Sequence, residues 1–440
     1  MGRLPRSPPV PVHGDHPARP PRARRGGGAD RGGAARGADP VRLMAAPATA
    51  AFHVLAKPAG ASCNLDCKYC FYLEKERLHP GSTFRMSDEV LEAFVRQRLE
   101  AGRDGAVTIA WQGGEPTLMG LDFFRRSIAV EQRYRRPGTT VEHVLQTNAT
   151  LLDDEWCAFL AEHDFLVGVS IDGPRALHDA FRVDRGGGPT FDRVMRGVRL
   201  LRARGVRLNA LAAVHAANAA YPVDVYRFLK EEVSPFIQLI PIVERDEAKG
   251  AGAVTARSVR AEDYGRFLVE IFDEWIREDV GDVFVQAFDV ALESWVLGRS
   301  SLCVFAETCG DAVVLEHRGD VYSCDHFVDG AHRLGDVRET PLAELVASDR
   351  QRRFGSDKRD TLPDYCRRCD VRFACHGGCP KDRFAETPDG EPGLNYLCAG
   401  YRTFFRHVDG PMRAMAALLR AGRPAADVRR AFAEVARSHA

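Results

Sequence analysis

Three cysteines stand close together in the run Cys63-Asn-Leu-Asp-Cys67-Lys-Tyr-Cys70, directly after a short apolar stretch, Phe52 to Lys57, that reads as a β-strand. A loop at the carboxyl end of a β/α unit is where active sites of α/β folds lie. Three thiolates can hold three irons of a 4Fe-4S cube, which leaves the fourth iron open to a small-molecule ligand. The alternative is a zinc ion completed by a histidine, for which His79 is the nearest downstream candidate. Further on, Gly113-Gly114-Glu115-Pro116 follows a second apolar run, Val107 to Trp111, and by itself reads as a turn.

Eight more cysteines lie in the second half: Cys303, Cys309 and Cys324, then Cys366-x2-Cys369-x5-Cys375-x3-Cys379-Pro380, then Cys398. Eight thiolates suit two fully ligated 4Fe-4S clusters. Zinc also favours four thiolates, so spacing alone barely separates the metals. The Cys379-Pro380 ending favours iron-sulfur, because it matches ferredoxin runs whose last cysteine ligates the other cluster. Of the twelve cysteines only Cys157 is left over, and its place on the apolar face of a helix, Asp153 to Glu162, makes it a buried core thiol. So many cysteines without a signal-peptide pattern indicate ligation in a reducing cytosol rather than disulfides, hence a cytoplasmic protein.

The 61 Lys and Arg balance 61 Asp and Glu, and 45% of residues are hydrophobic, which gives no footprint for a nucleic-acid partner. No apolar run approaches the roughly 18 residues of a membrane helix. Residues 1–50 carry nine Arg, no Lys, three Asp, nine Pro and eight Gly, with no apolar period, and read as a disordered extension or a start placed upstream of a true one at Met44.

The elements that must position the cysteines follow. Further strands are expected at Glu142 to Thr147, Phe165 to Ile171, Arg207 to Val214 and Phe236 to Ile242. Helices alternate with them at Ser87 to Gly102, Leu121 to Tyr134, Asp153 to Glu162, Thr190 to Arg204 and Tyr221 to Glu232, with Ser87 and Asp153 as N-caps. This is about six β/α units, short of an eight-fold barrel. Two more helices, Ala261 to Asp279 and near Val285 to Gly298, lead to a hairpin at Val313 to Glu316 and Val321 to Cys324; a stretch of little periodicity follows, then helix from 400 to 437. The expected division is 1–50, a partial barrel over 51–300, a cluster-binding domain over 301–410 and a helical tail over 411–440.

From about 51 to 245 the chain resembles the radical S-adenosylmethionine enzymes, on Cys63-x3-Cys67-x2-Cys70 with Phe71-Tyr72 and the Gly-Gly-Glu-Pro run. The second half resembles the SPASM domain of radical peptide and protein maturases. Over 51 to 410 the match is to the anaerobic sulfatase-maturating enzymes, whose signature Cys63 to Leu73 nearly reproduces and whose Cys-Asp pair recurs as Cys324-Asp325. The resemblance implies an α/β fold, a partial (β/α)6 radical SAM barrel followed by a small C-terminal SPASM domain. It implies S-adenosylmethionine and three 4Fe-4S clusters: one on Cys63, Cys67 and Cys70; a nearer auxiliary cluster on Cys303, Cys309, Cys324 and Cys379; a farther one on Cys366, Cys369, Cys375 and Cys398. Gly113, Gly114 and Glu115 would lie against the methionyl ammonium and Tyr72 would line the cofactor pocket. Gln112, Ser170 and Asp172, at the ends of the second and fourth strands, would contact cofactor or substrate. Arg182 would meet the cofactor carboxylate, and Leu239-Ile240-Pro241 would pack on adenine.

The implied reaction is reductive cleavage of S-adenosylmethionine to a 5′-deoxyadenosyl radical, which takes a β-hydrogen from a substrate Cys or Ser. Loss of a second electron to an auxiliary cluster and of a proton to Asp325 gives a thioaldehyde from Cys or an aldehyde from Ser, and hydrolysis of the thioaldehyde leaves formylglycine. The implied partners are a sulfatase with a Cys/Ser-x-Pro-x-Arg stretch and an electron donor such as flavodoxin or ferredoxin. A maturase of a small ribosomal peptide, and a non-catalytic iron-sulfur or zinc protein, are the competing readings; the second leaves the three-cysteine loop unexplained.

Overall fold

The computed structural model describes residues 52–102, 105–250 and 252–429. The extension over 1–50 and residues 430–440 of the expected helical tail therefore lie outside the described residues. One ten-stranded sheet organises the chain. Its strands are β1 (His53–Lys57), β2 (Ala106–Trp111), β3 (Thr140–Thr147), β4 (Leu166–Ser170), β5 (Arg207–Val214), β6 (Phe236–Pro241), β7 (Phe284–Val285), β8 (Ala312–Glu316), β9 (Asp320–Tyr322) and β10 (Arg333–Asp336). Strands β1 to β7 lie side by side in chain order and all parallel. Sequential parallel order with crossover helices is the pattern of a β/α barrel left open.

Local sequence explains the elements. The Ser87 hydroxyl accepts from the Val90 N–H and the Asp153 carboxylate from the Trp156 N–H, so both helices start as expected. Behind β2 the helices pack through aromatic edges: the Trp111 ring lies 5.4 Å from those of Phe94 and Phe123. Cys157 is fully buried in this core. The helix expected over Tyr221 to Glu232 is α-helical only over Pro222–Phe228 and continues as a π-turn over Leu229–Val233, which keeps both Leu229 and Val233 buried.

The hairpin forms as expected from β8 and β9, but it does not stand in a sheet of its own. Strand β8 pairs parallel with β1, in the register His53 with Ala312 through Lys57 with Glu316, so the second half of the chain extends the barrel sheet past its first strand. The C-terminal helix runs unbroken over Cys398–Arg420, across the expected boundary at 410. Its Phe404 ring stacks on Phe288, 5.7 Å away, and lies edge-on to Phe272 at 6.3 Å, because Phe404, Val408, Met412 and Met415 form one apolar stripe facing the barrel helices.

Candidate functional site

The loop after β1 carries Cys63, Cys67 and Cys70 over the carboxyl edge of the sheet. It is laced to the segment after β4: Asp66 N–H donates to Val183 O and Lys68 N–H to Phe181 O, both at 2.9 Å. Burial pushes the Cys63 thiol up to about 12 and the Cys67 thiol to about 11, and raises Cys70 as well. Such thiols ionise only when a cation takes the proton's place, which bound iron does. The arrangement also separates iron-sulfur from zinc. Thiolates around a tetrahedral zinc stand about 3.8 Å apart, from a Zn–S bond near 2.3 Å. Among the described residues, the one group of three His, Cys, Asp or Glu side chains with ligand atoms all within 4.8 Å of one another contains no cysteine. His79 belongs to that group and not to the cysteine loop, so a zinc site built from the loop and His79 is not formed.

The Gly-Gly-Glu segment after β2 is bonded to the stem of the cysteine loop, with Gly114 N–H donating to Gly60 O and Glu115 N–H to Ser62 O, both at 2.8 Å. A Cβ at Gly114 would stand 1.9 Å from Ser62 O, so only glycine permits this approach. Glu115 is fully buried; its Oε1 accepts from Thr117 N–H, Thr117 Oγ1–H and Thr147 Oγ1–H at 3.0, 2.7 and 2.8 Å, and its Oε2 from Asn148 N–H at 2.7 Å. Glu115 thus braces the ends of β2 and β3, with one lone-pair direction on Oε2 left over. Glu115→Gln should lower the stability of the folded protein by about 1–3 kcal/mol, since an amide N–H₂ at either position faces a donor. Urea unfolding of the reconstituted protein measures this.

Sequence reasoning missed Lys57, the last residue of β1. It is 1% exposed, its ammonium donates to Gln112 Oε1 at 2.7 Å and pairs with Asp325 Oδ1 at 2.6 Å, and it stands 4.5 Å from the centre of the Tyr72 ring. The signal was a lone lysine closing an apolar strand. The Tyr72 hydroxyl donates to Glu316 Oε1 at the end of β8. Tyr69, also missed, donates to Asp172 Oδ2.

Asp172 differs from its expected role as a cofactor or substrate contact. It is fully buried, its Oδ1 accepts from Ala213 N–H at 2.9 Å and pairs with Arg182 Nε at 3.0 Å. Burial opposes its charge, but the Arg182 guanidinium and His215 outweigh burial and hold the carboxyl well below its usual range. With its oxygens engaged, Asp172 orients Arg182 and Tyr69. Arg182 lies close enough to Cys67 to favour its thiolate, and so sits beside the cysteine loop. The Ser170 hydroxyl accepts from Gln146 Nε2 at 3.0 Å, and Ile240 is half-buried in β6.

In the second half the cysteines converge as two sets. Cys303, Cys309, Cys324 and Cys379 line one pocket with Phe327 and Pro380. Cys366, Cys369, Cys375 and Cys398 line another with Tyr365 and Arg402. The interleaving arises because the turn His376 to Gly378, with three successive positive φ angles of 45°, 74° and 63°, directs Cys379 away from Cys375. Burial pushes Cys375 up to about 12, and Cys379 and Cys398 to about 11. Two cations serve these pockets, Lys358 buried and Arg383 half-buried. Lys358 donates to the carbonyls of Cys303, Val304 and Ala306, and Arg383 to those of Lys358, His376, Gly377 and Gly378. Four soft thiolates per pocket with cations beside them fit anionic thiolate-ligated clusters.

A radical SAM superfamily model matches residues 58–229, and the SPASM model, an iron-sulfur cluster-binding domain, matches 303–370. Fold and cysteines together thus define a radical S-adenosylmethionine oxidoreductase with a SPASM domain. The chain is 46% identical over 376 residues to the serine-type anaerobic sulfatase-maturating enzyme of Bacteroides thetaiotaomicron, covering 82% of this chain and 91% of that one. It is 36% identical over 358 residues to the cysteine-type enzyme of Clostridium perfringens, covering 80% and 95%. The solved structure of native anSMEcpe with bound AdoMet and Cp18Cys peptide matches with a TM-score of 0.75 at 34% identity, over 83% of this chain and 99% of that one. The chain belongs to the anaerobic sulfatase-maturating enzymes, and its cofactors are S-adenosylmethionine and three 4Fe-4S clusters.

Proposed function

We propose that the chain oxidises the β-carbon of a cysteine or serine in a Cys/Ser-x-Pro-x-Arg stretch of a sulfatase to formylglycine, with Asp325 as base: serine gives the aldehyde directly, and cysteine gives a thioaldehyde that water hydrolyses to the aldehyde with release of hydrogen sulfide. The observation that carries this is the position of Asp325. It follows Cys324, which lines the nearer auxiliary pocket, and its ion pair with Lys57 reaches across to Gln112 at the end of β2. One carboxylate is thereby fixed between the mouth of the barrel and the pocket that would receive the second electron.

Cys63, Cys67 and Cys70 hold the first cluster, Cys303, Cys309, Cys324 and Cys379 the nearer auxiliary one, and Cys366, Cys369, Cys375 and Cys398 the farther one. When bound, S-adenosylmethionine and the clusters supply the deoxyadenosyl radical and the electron sink. Around them Arg182 would hold the cofactor carboxylate, and Gly113, Gly114 and the remaining lone pair of Glu115 the ammonium. Ser170 and Gln112 would line the mouth, Tyr72 the cofactor pocket, and Ile240 would pack on adenine. Asp325 takes the thiol or hydroxyl proton and, held by Lys57, keeps its orientation through the step. The reductant is a flavodoxin or ferredoxin and the compartment the cytoplasm; among the described residues no helix is long and apolar enough to cross a membrane.

Anaerobically reconstituted enzyme, reductant and S-adenosylmethionine are to be mixed with Cys-x-Pro-x-Arg and Ser-x-Pro-x-Arg peptides and read by mass spectrometry. An aldehyde on either peptide is the expected result. Deoxyadenosine release with both peptides unchanged would reject this substrate class and favour a ribosomal peptide.

A further inference from the structure

A second concentration of ligand groups lies outside the three cysteine sets. One ligand atom each of His79, Glu316 and His317 falls within 4.8 Å of the other two, and all three side chains are buried, at 7%, 2% and 2% exposure. They come from distant parts of the chain. His79 ends the short helix Leu73–Leu78 that follows the cysteine loop, Glu316 closes β8, and His317 opens the β8–β9 turn.

His317 Nε2 lies 2.7 Å from Ser82 Oγ, which also accepts the Phe84 N–H at 3.0 Å. His317 Nδ1 lies 3.4 Å from Glu316 Oε2, a gap that a proton on Nδ1, or a cation in its place, bridges. The other Glu316 oxygen is taken by the Tyr72 hydroxyl. His79 Nε2 is buried with no hydrogen-bond partner, and its ring stands edge-on to that of His317, 5.1 Å between centres. An orphaned buried nitrogen beside a buried carboxylate is costly without a partner for it. Gly60, at φ +50°, packs against His317: a Cβ built on it would stand 2.6 Å from Nδ1, so only glycine permits this approach.

We propose that His79, Glu316 and His317 bind one zinc-class divalent ion that ties the segment after the cysteine loop to the β8–β9 turn. Two imidazoles and a carboxylate form a borderline donor set that suits zinc, and with no thiolate among them the site stays apart from iron-sulfur assembly. Ser82 is the outer partner that fixes the His317 tautomer. The ion also fixes Glu316, and through it the Tyr72 hydroxyl, so the tie ends beside the Lys57–Asp325 pair without itself touching substrate.

The test uses the full chain, anaerobically reconstituted with iron and sulfide, exposed to Zn²⁺ alone and desalted. About one zinc per chain is expected, with only nitrogen and oxygen neighbours at about 2.0–2.2 Å in zinc X-ray absorption and no sulfur near 2.3 Å. His79→Ala and, separately, His317→Gln should lose this zinc with iron content unchanged. No bound zinc, zinc with sulfur neighbours, or zinc retained in both variants would overturn the proposal. Should either variant fail to fold, the absorption measurement on the unaltered chain decides alone.

Discussion

Replacing Asp325 by asparagine is expected to slow aldehyde formation about 10²–10⁴-fold, the usual contribution of a positioned base, while deoxyadenosine release falls far less. The substitution keeps the shape of the side chain, and an amide oxygen can still accept from the Lys57 ammonium that now pairs with Oδ1 at 2.6 Å. What is lost is the capacity to take a proton beside Cys324. Lys57→Met makes the complementary change: the carboxylate stays, but the cation that orients it and holds Gln112 is gone. A buried acid stripped of its partner costs about 3–5 kcal/mol, so this variant should lose stability as well as oxidation rate. Simultaneous quantification of deoxyadenosine and peptide aldehyde separates the two cases. If Asp325→Asn lowers both products by the same factor, Asp325 is not the base and serves only to anchor Lys57.

Why the sequence points to Asp325 and not to Lys57 comes down to range. Asp325 sits next to a cysteine, and adjacency along the chain is visible. The Lys57 role depends on β8 lying against β1, which sets Lys57 opposite Glu316; choice of a strand neighbour is a long-range event with no local pattern. The same pairing explains why the hairpin reads as the start of a separate unit yet extends the barrel sheet. Period and capping, in contrast, are local, and the strands from β1 to β6 and the helices begun by Ser87 and Asp153 stand within a residue or two of their expected ends. Tyr69 was overlooked because an aromatic between two ligating cysteines reads as packing, and only the fold places its hydroxyl on Asp172. Asp172 itself was assigned to the mouth by its position after β4; its partners come from elsewhere in the chain, Arg182 and Ala213 on Oδ1 and Tyr69 on Oδ2.

The largest effect belongs to the cysteine loop. Changing Cys63, Cys67 and Cys70 together to alanine should abolish deoxyadenosine release and reduce iron from about twelve to about eight per chain, because the eight remaining ligands still suffice for two four-iron cubes. The prediction follows from the separation of the sites. The two auxiliary pockets are lined by cysteines from 303 onward, and no residue of the loop lines either. Cys157→Ala is the control that fixes the meaning of the iron count. This thiol lies in the apolar core with Trp156, Phe159 and Leu160, so its loss should cost about 1 kcal/mol through the small void left behind and leave iron and both products unchanged. Elemental analysis and chromatography of the products on the two variants make the comparison. Deoxyadenosine from the triple variant would end the assignment of the first cluster to this loop, and iron lost from Cys157→Ala would mean that a twelfth cysteine takes part in ligation.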